Sequence, residues 1–182
     1  MRNIIIFFLP FLLYANYSDS GPYEVVTSIN NFTLTSGQSI EYTFYKPAEI
    51  NHTTQVTLVH AFSRNMNSYH ELAEHYSSWG LGVITMNLLH SSIFDNDPLQ
   101  DAIDLRELSN NYSDGRPVIY LGHSAGAMRA IVAAAEDTNA IAILGLDLTD
   151  GTYEDSGGEF LGLMHANMLS IPIWGMLGES SS

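Results

Sequence analysis

The chain contains no cysteine among its 182 residues, which excludes disulfides, thiolate nucleophiles and thiolate metal ligands. Basic residues are also scarce: six lysines and arginines stand against 20 aspartates and glutamates, a formal net charge of −14. Such a charge repels phosphate backbones and anionic lipid headgroups, so we expect no nucleic-acid partner. Charged residues make up only 14% of the chain and apolar residues 46%, which is enough apolar material for one globular domain.

The N-terminus carries an apolar run. Arg2 precedes the stretch from Ile4 to Ala15, and a polar segment follows it. A short basic start, about a dozen apolar residues and a small final residue are typical of a secretory signal peptide. The run contains Pro10 and is shorter than the roughly 20 residues that span a bilayer. We therefore predict a signal peptide and short linker in residues 1–20, export to the periplasm or outside the cell, and no stable membrane span. A buried first strand is the alternative.

Short apolar segments alternate with segments of helical spacing over residues 21–182, the predicted domain. Aromatic and β-branched residues around a glycine turn predict a β-hairpin over 32–45. Further strands are predicted over 55–60, 82–87, 118–121, 140–146 and 171–177, and helices from Ser68 (with Glu71 in a capping box) to Gly80, from Asp97 to about Ser109, and over 127–136. This alternation implies a three-layer α/β domain, a mostly parallel sheet with helices on both faces.

The segment Gly122-His-Ser-Ala-Gly126 places a Gly-x-Ser-x-Gly pattern between a predicted strand and a predicted helix. In that context it is typical of a nucleophile elbow, a sharp turn that exposes the serine hydroxyl above the sheet. Its glycines would relieve crowding, and the N-terminus of the following helix would favour developing negative charge. We therefore predict that Ser124 is a catalytic nucleophile; a structural glycine-rich turn is the alternative.

From about residue 40 to its C-terminus, the chain resembles the α/β-hydrolase superfamily, in particular chlorophyllase-like and lipase-like serine esterases. The segment His60-Ala61-Phe62 follows the strand two before the elbow, where such enzymes commonly carry His-Gly and an aromatic residue. The resemblance implies an oxyanion hole formed by the backbone N–H groups of Phe62 and Ala125, with Ala61 in place of the usual glycine. His60 itself is expected to pack under this loop.

The segment from Gly145 to Gly151 is similar to the one after the sixth strand of chlorophyllases and some lipases, where the triad acid directly follows the strand. The resemblance implies Asp147 as that acid, with Asp150 in reserve and expected to cap a turn. Many other hydrolases place the acid after the following strand, where this chain offers only Glu179. No cofactor and no metal are implied.

The triad base is missing from the position that the family implies, after the last strand. His165 is the only histidine after Asp147, and it precedes the last predicted strand. We expect His165 to be a packed core or surface residue, and His123 to be the variable residue of the elbow. We infer that the eighth strand, its helix and the catalytic histidine are not in these 182 residues.

The sequence thus predicts an exported serine hydrolase that cleaves carboxylic esters, a small-molecule or lipid ester, through an acyl-enzyme on Ser124. The lack of a long apolar insertion before the acid favours short or medium acyl chains. The alternative is a non-catalytic α/β-hydrolase-like module that binds a partner or ligand, which would also explain the missing base. The natural ester and the oligomeric state are left open.

Overall fold

The structure is a computed structural model, and it describes residues 17–151 and 159–177. The apolar run of the predicted signal peptide and Glu179 lie outside the described residues. Within them, no helix combines the length and the apolar character that crossing a bilayer requires.

One sheet organises the described residues. Its strands are β1 (Val25–Thr33), β2 (Ser39–Pro47), β3 (Gln55–Val59), β4 (Gly82–Met86), β5 (Val118–His123), β6 (Ala140–Leu146) and β7 (Ile173–Met176). They lie in the order β1-β2-β4-β3-β5-β6-β7. The hairpin β1–β2 pairs antiparallel with β4, and every pair from β4 to β7 is parallel. The predicted mostly parallel sheet with an antiparallel entry hairpin at one edge is confirmed.

The helices are α1 (His70–Ser78), α2 (Pro98–Ser113), α3 (Ala125–Ala135) and α4 (Leu161–Ala166). Asp97 caps α2 as predicted, because its Oδ1 accepts a hydrogen bond from the N–H of Gln100 at 3.0 Å. The predicted capping box at Ser68 is wrong. A 3₁₀ turn, Met66–Tyr69, precedes α1, and Asn65 caps that turn, so Ser68 already lies inside helical backbone.

Helices cover both faces of the sheet, each over its own apolar core. On one face, α2, α3 and α4 pack over a core that includes Ile84, Leu105 and Met128. On the other face, α1 packs over a smaller core that includes Leu58 and Val83. Neighbouring residues Val83 and Ile84 point to opposite cores, as the period of a strand requires. The predicted three-layer α/β architecture is confirmed.

Candidate active site

The carboxyl ends of β3, β5 and β6 meet at one edge of the sheet because these strands are parallel neighbours. Backbone strain is concentrated there. Ser63 after β3, Ser124 after β5 and Asp147 after β6 have φ values of 53°, 53° and 50°. The only other non-glycine residue with positive φ in the described ranges is Asp114, at the end of α2. Strained residues that cluster at the carboxyl edge of an α/β sheet mark this edge as the candidate site.

Ser124 occupies a tight turn between β5 and α3, with φ 53° and ψ −126°. Close backbone packing leaves no room for a side chain at Gly122 or at Gly126, two residues before and after Ser124. A Cβ on Gly122 would collide with the backbone of Gly126 and Ala127, and a Cβ on Gly126 would collide with the backbone oxygen of His60. Both glycines of the Gly-x-Ser-x-Gly pattern are therefore required by sterics, and the structure has the strand–turn–helix context that the sequence predicted.

The loop after β3 is fixed at the peptide between Ala61 and Phe62. The carbonyl oxygen of Ala61 accepts hydrogen bonds from His60 Nδ1 at 2.8 Å and from the N–H of Arg64 at 3.1 Å. The N–H of Ala61 donates to the Tyr69 hydroxyl at 3.3 Å. In a trans peptide the N–H points away from the C=O, so these bonds direct the N–H of Phe62 in the opposite direction.

His60 packs under this loop and bonds to it. Its side chain is buried, and its Nε2 accepts a hydrogen bond from the N–H of Leu88 at 3.0 Å. Nδ1 therefore carries the proton that is donated to Ala61. Burial lowers the pKa of His60, which keeps the ring neutral and this tautomer in place. The prediction that His60 packs under the loop is confirmed.

The two predicted oxyanion donors lie on neighbouring backbone segments. The loop after β3 crosses the first turn of α3, because the oxygen of His60 abuts Gly126. Within the described residues, the N–H groups of Phe62 and Ala125 donate no hydrogen bond. Two free N–H groups beside a helix N-terminus form a suitable site for a developing oxyanion.

An open cleft of about 370 Å³ lies beside the elbow, lined by Arg64, Ser68, Tyr69, His123 and Leu146. The Tyr69 hydroxyl lies 2.7 Å from Nδ1 of His123, the residue that precedes Ser124. Burial raises the pKa of Tyr69, so its hydroxyl stays protonated. Tyr69 lies within the helix that the sequence predicts from Ser68 to Gly80, and no sequence signal marks its contact with the elbow.

The two candidate acids occupy different environments. Asp147 is exposed and directly follows Leu146, whose carbonyl oxygen accepts the N–H of Ser124 at 2.8 Å. Its carboxylate makes no hydrogen bond within the described residues. The carboxylate of Asp150 accepts the N–H groups of Gly162 and Leu163, both at 2.9 Å, and so caps α4. Asp150 is thus occupied by capping, and Asp147 is the carboxylate left available beside the elbow.

Thr149 is a neighbour of Ser124 that the sequence analysis did not single out. The Ser124 hydroxyl donates to Thr149 Oγ1 at 3.3 Å, and the N–H of Thr149 donates to the backbone oxygen of Ser124, also at 3.3 Å. The loop after β6 is thereby tied to the elbow through Thr149. The spacing of the two segments in the sequence, 25 residues, gives no hint of this contact.

All seven histidines lie in the described ranges, and none hydrogen-bonds to the Ser124 hydroxyl or the Asp147 carboxylate. His165 Nδ1 bonds to the backbone oxygen of Leu161, and its side chain lines a cavity with Glu136, which caps the far end of α3. The length of α3 puts that end about 16 Å from Ser124. His165 is thus the packed residue that was expected. Within these ranges, no group of three or more His, Cys, Asp or Glu side chains is placed to hold a metal ion.

A buried arginine, Arg129, stabilises the first turn of α3 by hydrogen bonding. Arg129 is fully buried and forms an ion pair with Asp101 of α2 at 2.7 Å. Its guanidinium also donates to the backbone oxygens of Ala125 and His90 and to Oδ1 of Asn96. The predicted helix over 127–136 contains Arg129. The sequence alone does not show that this arginine points into a core.

The chain matches no protein-family model and no curated protein. Solved structures do resemble it. A protein from Klebsiella pneumoniae subsp. pneumoniae, described as a dienelactone hydrolase, superposes on 84% of this chain with a TM-score of 0.69 at 11% identity. The chain has the α/β-hydrolase fold.

Two esterases share this α/β-hydrolase fold. Brefeldin A esterase, a bacterial homologue of human hormone-sensitive lipase, covers 80% of the chain with a TM-score of 0.58 at 13% identity. A thermostable carboxyl esterase from Bacillus coagulans covers 72% with a TM-score of 0.57 at 18% identity. The chain spans 43% and 47% of these two proteins, about half their length, and 72% of the Klebsiella protein. Chlorophyllase-like specificity stays a prediction.

Proposed function

We propose that this protein is a serine hydrolase that cleaves carboxylic esters. One observation carries the proposal: Ser124 sits on a strained turn next to the free N–H of Ala125 at the N-terminus of α3, and the loop that carries the free N–H of Phe62 packs against Gly126 of the same turn. A nucleophile and two oxyanion donors at one place are the parts that acyl transfer requires. The likeness to esterases supports this reading at the level of the fold.

In the proposed reaction, the Ser124 oxygen attacks the carbonyl carbon of the ester and the carbonyl oxygen becomes an oxyanion. The N–H groups of Phe62 and Ala125 stabilise that oxyanion, each by about 3 kcal/mol of barrier. Collapse of the intermediate expels the alcohol and leaves an acyl-enzyme on Ser124. Water then attacks the acyl carbon and releases the acid.

A general base must take the Ser124 proton and return it to the leaving alcohol. Within the proposal, this base is a histidine oriented by Asp147. The order Ser, acid, His along related chains places such a base after the acid. The place is compatible with the structure, because Asp147 is exposed and its carboxylate has no partner in the described residues.

The test is hydrolysis of p-nitrophenyl butyrate by the natural full-length protein and by its S124A variant. The expected result is turnover that S124A reduces by about a thousandfold or more. Equal rates for the two proteins would refute the proposal. A second assay uses the 182-residue chain with added imidazole, which can replace a missing histidine base. The hydrolysis rate of this chain should rise with imidazole concentration. It should rise by more than the rate of the S124A variant of the same chain does.

A second candidate function is a non-catalytic module that binds a ligand at the same cleft. The observation that favours it is the Ser124 hydroxyl, which bonds to Thr149 and to none of the seven histidines. Under this alternative, neither the full-length protein nor the imidazole-supplemented chain shows hydrolysis that depends on Ser124. The two assays above therefore distinguish the candidates.

The proposed substrate is an ester with a short or medium acyl chain. The cleft beside the elbow is open and small, about 370 Å³. A series of p-nitrophenyl esters from acetate to dodecanoate measures the preference. We expect the highest kcat/KM at butyrate to octanoate, and a maximum at dodecanoate would overturn this part of the proposal.

We also propose that the protein is exported, on the evidence of the N-terminal sequence pattern alone. The measurement is cell fractionation of the protein expressed with residues 1–20 intact, followed by N-terminal sequencing of the product. Cleavage near Ala15 in an exported fraction is expected. An intracellular product that retains Arg2 would contradict it.

A further inference from the structure

We infer that Tyr69 and His123 form a clamp that holds the oxyanion loop against the nucleophile elbow, and that both are positioning residues for the reaction. This inference rests on the proposed function. Its structural basis is a continuous path of hydrogen bonds from Ala61, through the Tyr69 hydroxyl, to the ring of His123.

One assignment of donors and acceptors gives every polar group in this path a partner. The N–H of Ala61 can only donate, so the Tyr69 oxygen accepts from it at 3.3 Å. The single proton of the hydroxyl is then left for Nδ1 of His123, 2.7 Å away. Nδ1 must therefore be an unprotonated acceptor, and the ring proton lies on Nε2.

The clamp joins the two backbone segments whose relative position matters for catalysis. Ala61 precedes Phe62, the first proposed oxyanion donor, and His123 is two residues before Ala125, the second. Without the Tyr69 hydroxyl, the N–H of Ala61 would have no acceptor in a largely buried position. Hydrogen bonds to the carbonyl of Ala61 set the direction of the Phe62 N–H, and the clamp sets its distance from α3.

Tyr69 can serve this purpose because its own position is fixed. It ends the 3₁₀ turn Met66–Tyr69 and directly precedes α1, and its ring packs against the smaller core. Its ring also lies at a tilted angle of 58° to that of His123, with centroids 5.9 Å apart. Transition-state stabilisation by fixed donors requires that they do not reorganise during the reaction, so a rigid clamp would raise kcat and leave KM nearly unchanged.

The experiment compares four variants of the natural full-length protein. Y69F removes the hydroxyl and keeps the ring, and H123F removes the acceptor. H123N keeps an acceptor oxygen near the place of Nδ1 and is the rescue variant. Y76F is the matched control, because Tyr76 lies on α1 and packs against the same core without a side-chain hydrogen bond within the described residues. Each is measured for amide hydrogen exchange at Ala61 by NMR, and for kcat and KM with p-nitrophenyl butyrate.

The expected result is a rise in Ala61 amide exchange of about tenfold or more in Y69F, which corresponds to loss of the Ala61–Tyr69 hydrogen bond of about 1.4 kcal/mol. A smaller rise is expected in H123F, where that bond remains but the Tyr69 hydroxyl loses its acceptor. In the same two variants kcat should fall about tenfold while KM changes less than twofold. H123N should recover most of the loss seen in H123F, and Y76F should match the parent protein in both measurements.

The inference is overturned if Y69F leaves the Ala61 exchange rate within twofold of the parent, or if Y76F lowers kcat as much as Y69F does. The two measurements also separate this inference from the proposed function. Absence of Ser124-dependent hydrolysis refutes the proposed function, and with it the catalytic role of the clamp. The exchange rates then show whether the hydrogen-bonded clamp exists in the protein.

Discussion

The loops after β3 and after β6 flank the same serine but differ in which of their polar groups have hydrogen-bond partners. In the loop after β3, Ala61 is held through both its N–H and its carbonyl by three hydrogen bonds, two of them from side chains. In the loop after β6, the exposed carboxylate of Asp147 has no hydrogen bond within the described residues. The candidate oxyanion loop is therefore fixed by hydrogen bonds, while the carboxylate of Asp147 is open to a partner. Under the proposed function, this difference places the need for a base next to Asp147 and not for a further donor next to Phe62.

The packing of the elbow against the loop after β3 gives the largest expected effect. G126A would put a methyl group into the backbone oxygen of His60, so the free energy of unfolding should fall by about 3 kcal/mol or more and hydrolysis should be lost. G175A on β7 is the matched control, since no atom lies within 4 Å of the added methyl group. Urea denaturation monitored by circular dichroism measures both. Equal stability of the two variants would contradict the close packing.

The two aspartates of the loop after β6 should respond in opposite ways to the same change. D147N should lower kcat by about a thousandfold or more with little loss of stability, as removal of a triad acid does. D150N should lower the free energy of unfolding by about 1 kcal/mol, because it weakens a helix cap, and change kcat less than threefold. Steady-state kinetics and thermal melts of both variants make the comparison. The opposite pattern would make Asp150 the acid.

Loss of the His60 ring should affect the loop after β3 and leave the loop after β6 intact. H60A removes the donor to the carbonyl of Ala61 and the acceptor of the Leu88 N–H. We expect kcat to fall about tenfold to a hundredfold, and the free energy of unfolding to fall by about 2 kcal/mol because buried polar groups lose their partners. A variant with wild-type kcat and lowered stability would show that His60 supports the fold but not the oxyanion hole.

The smallest effect is expected at Thr149. Its hydrogen bond with the Ser124 hydroxyl is long, at 3.3 Å, and lies at the surface. T149V keeps the shape of the side chain and removes the hydroxyl. We expect kcat to change less than threefold, since the serine must leave this bond to transfer its proton to a base. A drop of a hundredfold in steady-state kinetics would show that Thr149 takes part in the reaction.

Features with a local cause could be predicted from the sequence. The elbow was predictable because the two glycines around Ser124 indicate a turn without space for side chains. The cap at Asp97 was predictable because the proline that follows it commonly starts a helix. The expected turn cap at Asp150 corresponds to its hydrogen bond from the N–H of Gly151 at 2.9 Å, whereas its capping of α4 was not expected. The capping box at Ser68 failed, because Asn65 offers a competing cap three residues earlier and begins a 3₁₀ turn there.

Features with a long-range cause could not be predicted. Tyr69 and His123 are 54 residues apart, and Arg129 and Asp101 are 28 apart. The first contact depends on how the 3₁₀ turn before α1 packs beside β5, and the second on how α2 packs against α3. Hydrophobic periodicity does not contain that information. Tyrosine and arginine at helical spacing look the same in sequence whether they face water, core or a catalytic loop.

The most direct test of Ser124 as the nucleophile is covalent capture. The natural full-length protein is incubated with a fluorophosphonate, which reacts with activated serines, and the adduct is mapped by peptide mass spectrometry. We predict a single phosphonylated residue, Ser124, and no adduct in the S124A variant. An unmodified Ser124, or equal labelling of the parent and S124A proteins, would contradict the assignment of this site as a serine hydrolase.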